Sequence, residues 1–327
     1  MLTPVDKRAG LLVAVITGGR PELKQRPTAK FLGDLKAAGF TNICWVVAER
    51  DAHGYERDEH EMVVYPDRWA EEYAASHWMN TTPYEPGTFY GAFVGREYAC
   101  LEAERRGCWG VLQLDDNIVE VCMFKNTATG SRVLRENGGF AVFADVLACI
   151  TLTTNGRMVG AQLTAVASSA PTVSRPGFPY SCFVEEVGKG REHWFGPFED
   201  DITHAFQYGV RADDATALVV PTLMYRKESS SKTGMRSKYN HERSVNLHRI
   251  FPQSARITAM TTKANGVAGK DNERVFHRMK AGAIETPQAV TDRASYSKVR
   301  DYLAGILEEY LSARKEDAKL KVQKRAR

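Results

Sequence analysis

Apolar runs and their glycine stops divide the first two thirds of the chain into alternating strands and helices. Residues 11–17 form an apolar, β-branched run that ends at Gly18-Gly19-Arg20-Pro21, a strand followed by a turn. Residues 28–38 carry a helical pattern stopped at Gly39, and 42–48 read as a second strand. A short third strand is expected at 62–65. Residues 89–106 form a helix, stopped by Gly107, that leads into a buried strand at 109–114. Beyond it, Gly138-Gly139 precede a helix at 141–150, strands at 159–166 and 183–187, and a short helix at 202–209. Alternation of this kind predicts an α/β fold, a mostly parallel sheet flanked by helices on both faces.

Two carboxylate clusters stand out against that pattern. Leu114-Asp115-Asp116-Asn117-Ile118 closes the strand at 109–114, and Phe198-Glu199-Asp200-Asp201-Ile202 opens the helix at 202–209. Strand carboxyl ends are where α/β sheets bind ligands, so Asp115 and Asp116 are expected to face a crevice. Crowded carboxylates raise one another's pKa unless a cation or a proton lies between them, so a positive partner is expected as well. Oxygen ligands without clustered Cys or His suit Mg²⁺ or Mn²⁺, shared with substrate phosphates. Plainer readings stand beside this one. Asp and Asn suit any turn that closes a strand, and acidic residues complement the positive end of a helix dipole.

Composition narrows the class. With 43% hydrophobic and 26% charged residues the 327-residue chain matches a folded protein of one large or two ordinary domains. It has no run of 18 apolar residues and no charged-then-apolar leader, so a cytoplasmic protein without a membrane span is expected. Six cysteines without a C-x-x-C pair argue against zinc and against a disulfide framework.

Charge is distributed unevenly. The net value is +4, yet residues 226–280 carry 13 Lys/Arg against 4 Asp/Glu, and 311–327 carry 7 against 2. The body is therefore acidic and the last third basic, which points to a polyanionic partner. Residues 315–327 alone read more simply as a solvated, frayed helix end. The 227–239 stretch interleaves Ser, Gly, Lys, Arg and Tyr, a composition that could track a phosphate backbone.

The order of these parts resembles the GT-A glycosyltransferase fold, a Rossmann-type sheet, over roughly residues 11–226. The Leu-Asp-Asp-Asn-Ile and Phe-Glu-Asp-Asp-Ile motifs, with a basic extension, look like bacteriophage glycosyltransferases associated with TET-type dioxygenases, relatives of the base J glucosyltransferase. The family's first motif is usually Asp-x-Asp; here it is Asp115-Asp116-Asn117, which leaves open which carboxylate touches the metal. The resemblance implies a nucleotide-sugar-binding and catalytic domain at 1–226 and a basic, partly helical extension at 227–327 that contacts the acceptor. It also implies a sugar nucleotide donor, UDP-glucose or UDP-N-acetylglucosamine, and Mn²⁺ or Mg²⁺. The acceptor would be a 5-hydroxymethylpyrimidine in DNA, 5-hydroxymethylcytosine or its thymine-derived counterpart, in a phage-infected host cell.

Roles follow from the chemistry such a transfer needs. Asp115, Asp116 and Asn117, with His248 or His241, would hold the metal against the diphosphate. Asp200 or Asp201, with Glu199 beside them, would take the proton of the acceptor hydroxyl, with inversion at the anomeric carbon. Thr17, Gly18, Arg20 and Arg96 would line the donor diphosphate, Glu49 or Asp51 the nucleobase or ribose, and Gly138-Gly139 the sugar. Trp194, Phe195 and Phe198 are candidates to stack on an extruded base, although core packing explains aromatics equally well. Three other classes fit the same residues: a glycosyltransferase for a protein, lipid or small-molecule acceptor, a sugar-phosphate nucleotidyltransferase using Gly18-Gly19-Arg20-Pro21 and Lys30, and a non-catalytic DNA-binding protein.

Overall fold

The structure is a computed structural model. It describes residues 2–56, 59–80, 91–123, 139–164, 173–211, 214–228, 240–261, 273–280 and 282–325. The strands are β1 (Leu11–Ile16), β2 (Asn42–Ala48), β3 (Glu61–Tyr65), β4 (Gly110–Asp115), β5 (Ile118–Met123), β6 (Gly156–Leu163), β7 (Arg175–Pro176), β8 (Cys182–Glu186), β9 (Thr216–Lys227), β10 (Ala255–Thr261) and β11 (Glu273–Met279). The helices are α1 (Val5–Ala9), α2 (Leu32–Ala37), α3 (Glu49–Ala52), α4 (Asp67–Ala75), α5 (Gly91–Arg105), α6 (Gly139–Thr153), α7 (Asp200–Gly209), α8 (Asn240–Ile250) and α9 (Arg293–Arg325).

Among the described residues, β1 to β9 form one sheet in the order β3-β2-β1-β4-β8-β6-β9-β5, with β7 also beside β9. Strands β1, β2, β3, β4, β6 and β9 run one way and β5, β7 and β8 the other. The expected α/β architecture is therefore present, as a mixed, mostly parallel sheet flanked by helices. The strand sequence explains it. Leu11, Val13 and Val15 of β1 face one cluster with Leu32 and Leu35 of α2, Phe143 and Leu147 of α6, and Val299 and Leu303 of α9. Leu12 and Ala14 face the other, with Phe93 and Val94 of α5 and Ala205 and Tyr208 of α7. Successive side chains of a strand point to opposite faces, so a run apolar at every position is buried on both.

This topology creates a crevice. From β1 the chain adds β2 and β3 on one side, then crosses to place β4 on the other, so the strand order reverses between β1 and β4. The loops leaving the two strands diverge there, which is where open α/β sheets bind ligands. Ile16 is in register with Asp115, so Thr17-Gly18-Gly19-Arg20 and Asp115-Asp116-Asn117 leave the sheet side by side.

Several elements differ from expectation. The helix foreseen at 28–38 is present as α2 from Leu32, but its first turn, Pro27–Phe31, is 3₁₀. Thr28 holds it in that form, since its Oγ1 donates to the Asp115 carbonyl at 2.7 Å and accepts from the Ile118 amide at 2.9 Å. Strand β9 has Pro221 inside it, and proline argues against a central strand. It is tolerated because the pairing with β6 shifts there, from Ala161 opposite Val220 to Gln162 opposite Met224. The basic extension packs on the sheet. Strand β9 runs through residue 226 to Lys227, and Val299, Leu303 and Ile306 of α9 join the main core. Helix α8 and the β10–β11 hairpin contribute to a smaller cluster of Leu247 and Ala255 with Ile202 and Phe206 of α7. Among the described residues no helix is long and apolar enough to cross a membrane.

One glycine is required by packing alone. Gly160 of β6 lies opposite Phe183 of β8, and a Cβ added to it would sit 2.4 Å from Pro179 Cβ and 2.9 Å from the Cys182 carbonyl oxygen. The backbone cannot yield cheaply there. Gly160→Ala should lower stability by about 1–3 kcal/mol, the usual cost of overpacking. Urea denaturation measures this, and a midpoint equal to that of the unmodified chain would show that the strands separate freely.

Candidate active site

The two acidic clusters are joined by one buried arginine. Arg96, on α5, donates from Nη2 to Asp115 Oδ1 at 2.7 Å and from Nε to Asp200 Oδ2 at 2.9 Å. Its side chain is only 3% exposed and lies over the rings of Phe183 and Trp194, with its central carbon 5.4 and 5.3 Å from their centroids. Burial disfavours its charge, but Asp115 and Asp200 more than compensate, so it stays a cation. The sequence reading set Arg96 against a donor diphosphate. In the structure it is instead the internal tie between the end of β4 and the start of α7.

Each residue of the first cluster has its own partners. Asp115 Oδ2 accepts from Lys227 Nζ at 2.7 Å, and the same ammonium donates to Ser181 Oγ at 2.7 Å. Burial pushes the Asp115 carboxyl up, but Lys227 and Arg96 outweigh it and hold the group well below the usual carboxylate range. Asp116 accepts from Thr17 Oγ1 at 2.8 Å, pairs with Arg20, and has Arg26 Nε 3.7 Å from Oδ2. Burial nevertheless keeps its pKa raised, against Arg20 and Thr17. Asn117 donates from Nδ2 to the Glu228 carbonyl at 3.2 Å, and its buried Oδ1 has no partner among the described residues.

The second cluster caps α7. Glu199 is the N-cap, with φ 53° and ψ 44°, and its carboxylate pairs with Arg243 of α8. Ser181, beside Lys227, also has a positive φ of 54°. Among the described residues these are the only two non-glycine positions of that kind, and both border the site. A left-handed backbone costs an ordinary residue free energy, and such strain concentrates at functional sites. Asp201 accepts from the Ile202 amide at 2.9 Å. Burial, then the neighbouring Asp200 charge, raise its pKa to about 7, with Arg96 and Lys227 opposing.

Beneath α7 a buried carboxylate fixes its position. Glu185, on β8, is fully buried and accepts from His204 Nε2 at 2.5 Å and Tyr208 Oη at 3.0 Å, both on α7. Its other oxygen accepts from Trp194 Nε1 at 2.9 Å and Gln113 Nε2 at 3.2 Å. Burial raises the Glu185 pKa, but His204 and these donors bring it below the ordinary value, so the group is ionised. The network joins α7 to β8 and β4, and therefore sets the height of Asp200 and Asp201 over Asp115.

The remaining candidates fall into three groups. Thr17, Gly18 and Arg20 belong to the crevice, and Asp51 closes their loop by accepting from the Gly19 amide at 3.1 Å. Glu49 accepts from the Asp67 amide at 3.1 Å and so caps α4. His248 Nδ1 is hydrogen-bonded to the Ala255 carbonyl at 2.8 Å, and among the described residues no bond joins it to either aspartate. Gly139 is buried at the start of α6, Gly138 lies outside the described residues, and so does the side chain of His241. The aromatic platform needs correction. Trp194 is fully buried with its ring 3.8 Å from His204, and Phe198 is 2% exposed, so both are core residues. Phe195 is half-buried against His77, at 4.0 Å.

Sequence reasoning missed Lys227, Arg26, Thr28 and Ser181. Lys227 opens the basic stretch singled out above, but nothing local marks it, or the other three, as a partner of the acidic turn. They act because β9 and the segment after β1 come to the end of β4.

The expected divalent ion meets a donor set that is already filled. Such ions use one or two carboxylates plus substrate oxygens. Both oxygens of Asp115 and both of Asp116 already face side-chain cations or a hydroxyl. A +2 ion about 4 Å from an ammonium is repelled by on the order of 8 kcal/mol at an effective dielectric of 20. Among the described residues no group of three or more His, Cys, Asp or Glu converges to hold an ion. The residues present do not fit one unless a cation is expelled.

No protein-family profile matches the chain, and no curated protein is similar to it. Among solved structures it is similar to one described as "Crystal Structure of a Mycobacterial Protein", at 8% identity and a TM-score of 0.44, over 85% of this chain and 87% of that one. A likeness of that degree carries no conclusion about activity.

Proposed function

We propose that the chain is a GT-A glycosyltransferase that moves a sugar from a nucleotide-sugar, a UDP-sugar, to the hydroxyl of 5-hydroxymethylcytosine in DNA. The observation that carries the reading is the pairing across Arg96. A charge-balanced acidic turn at the β1–β4 switch point stands beside a buried carboxyl whose pKa lies near neutrality. Fold alone does not fix function; the site's side chains do.

The chemistry follows from the side chains. A primary hydroxyl is a poor nucleophile at neutral pH, and a base whose pKa matches the working pH transfers its proton most effectively. Asp201 has that property. The hydroxyl oxygen attacks the anomeric carbon while the bond from that carbon to the diphosphate oxygen breaks, and the electron pair leaves with the nucleoside diphosphate. A base opposite the leaving group gives inversion. Support for a nucleic-acid acceptor comes from the motif resemblance and from the basic 226–280 segment. A cavity of about 610 Å³ lined by Lys24, Arg26 and Lys30, with Glu59 and His60, adds a mostly cationic surface beside Asp116.

The test is mass spectrometry of nucleosides from DNA containing 5-hydroxymethylcytosine after incubation with the protein and a panel of sugar nucleotides. A hexose or N-acetylhexosamine mass gain that weakens as salt rises supports the proposal. Hydrolysis of one donor without transfer to DNA would move the acceptor to another class, and pyrophosphate release from a nucleoside triphosphate would make the chain a nucleotidyltransferase.

A further inference from the structure

We propose that Arg20 and Lys227, rather than a divalent ion, carry the charge of the departing diphosphate. The inference rests on the glycosyl-transfer reading and names the groups that hold its donor. It starts from the filled donor set described above: an ion placed on Asp115 would compete with Lys227 for Oδ2, and one on Asp116 would compete with Arg20 for Oδ1.

The two cations are built to serve a second anion. An ammonium has three N–H groups, and Lys227 commits two of them, to Asp115 and to Ser181. A guanidinium has five, and Arg20 directs one, on Nη1, to Asp116. Among the described residues no partner takes the rest of Arg20's donors or the third N–H of Lys227. Their exposure sets them apart from the internal arginine: the side chains of Arg20 and Lys227 are 35% and 29% exposed, against 3% for Arg96. Each therefore has one side fixed on a carboxylate and another open to the crevice.

Their placement brackets the leaving group. Arg20 follows β1, Lys227 ends β9, and the aspartates they grip are consecutive residues at the end of β4. An anion lying over the Asp115–Asp116 turn would be met from both sides. Charge-assisted hydrogen bonds to phosphate are about twice as strong as neutral ones, and donors held in place before the reaction need no reorganisation as charge develops. As the bond to the anomeric carbon breaks, the negative charge gained by the β-phosphate oxygen falls between them, while the acceptor proton passes to Asp201. Ser181 and Thr17 act as positioning residues, since each bonds to one member of a cation–carboxylate pair.

The test uses the full chain and two readouts. Isothermal titration with UDP, and with GDP, ADP and CDP as controls for base identity, is run in EDTA and again in Mn²⁺. Electron paramagnetic resonance counts bound Mn²⁺ without nucleotide. One nucleoside diphosphate should bind with a Kd that differs less than threefold between the two conditions, while Mn²⁺ alone stays free. Lys227→Met and Arg20→Met should each weaken that nucleotide at least tenfold without changing affinity for the corresponding nucleoside. Lys227→Arg should restore most of the loss and so separates charge from folding. Lys227→Met should also acquire Mn²⁺ affinity, because Asp115 Oδ2 is released. Nucleotide binding that appears only with Mn²⁺ would overturn the inference while leaving the glycosyltransferase reading intact. Binding of no nucleoside diphosphate under either condition would remove that reading itself.

Discussion

Asp201→Asn is expected to reduce sugar transfer by about 10³-fold, within the range for loss of a positioned general base, and to make the protein more stable at pH 8. The two effects share one cause. The folded Asp201 carboxyl has its pKa raised to about 7 by burial and by Asp200, whereas an unfolded aspartate titrates near 3.9. Below pH 4 both states are protonated and the group costs nothing. Between pH 4 and 7 the unfolded state releases its proton and the folded state does not, so stability falls as pH rises and levels off above 7. Asparagine keeps an oxygen to accept from the Ile202 amide and has no proton to lose. Its melting temperature should exceed that of the unmodified chain by about 5 °C at pH 8, for on the order of 4 kcal/mol, and the gap should nearly close at pH 4. Transfer by the unmodified chain should rise with pH and reach a plateau above 7. A kcat/KM within tenfold of the unmodified value would remove Asp201 from the base role, and an equal melting difference at both pH values would remove the raised pKa.

The largest structural effect should come from Arg96→Leu. Removing one partner of a buried ion pair leaves the other charge uncompensated, typically at a cost of about 3–5 kcal/mol. Here two carboxylates lose their tie at once, because Arg96 bridges Asp115 and Asp200. Lysine cannot replace it, since one ammonium lacks the fixed two-pronged geometry of the guanidinium. Arg96→Lys is expected to recover part of the stability and little of the activity. Adding Asp200→Asn to Arg96→Leu should restore a share of the loss, because residues in one ion-pair network do not behave additively. Urea denaturation of the two single variants and the double variant measures this coupling. Additive effects would show that Arg96 and Asp200 act independently.

The Asp201 and Arg96 effects depend on the Glu185 network below α7. His204 and Tyr208 are three and seven residues after Asp201, so their bonds to Glu185 set both the rotation and the height of the helix. The same bonds explain why Trp194 is unavailable for stacking. Its indole N–H is spent on Glu185, and its ring on His204 and Phe183. An aromatic next to an acidic motif looks like a platform in sequence. A buried acceptor inside the sheet cannot be seen there.

What the sequence determined by itself is the alternation of elements and the place of the acids. The near-continuous apolar runs of β1, β2 and β4, broken inside β4 only by Gln113, require burial on both faces, and helices packed on both sides of a sheet supply it. A polar turn at the end of such a strand lies at the carboxyl end of the sheet, so the sequence alone placed Asp115 and Asp116 there. Tertiary structure decided their partners. Lys227 lies 112 residues from Asp115 and Arg20 lies 96 from Asp116, and both meet their carboxylates because of backbone paths that no local pattern encodes. Strand β9 shifts its pairing at Pro221 before it ends beside Asp115, and the segment after β1 is tied to the turn by Thr28. Periodicity is a property of neighbouring residues and is written locally. The sign and number of charges around a carboxylate are set by side-chain ends from distant segments, and these are fixed only when the sheet closes around them.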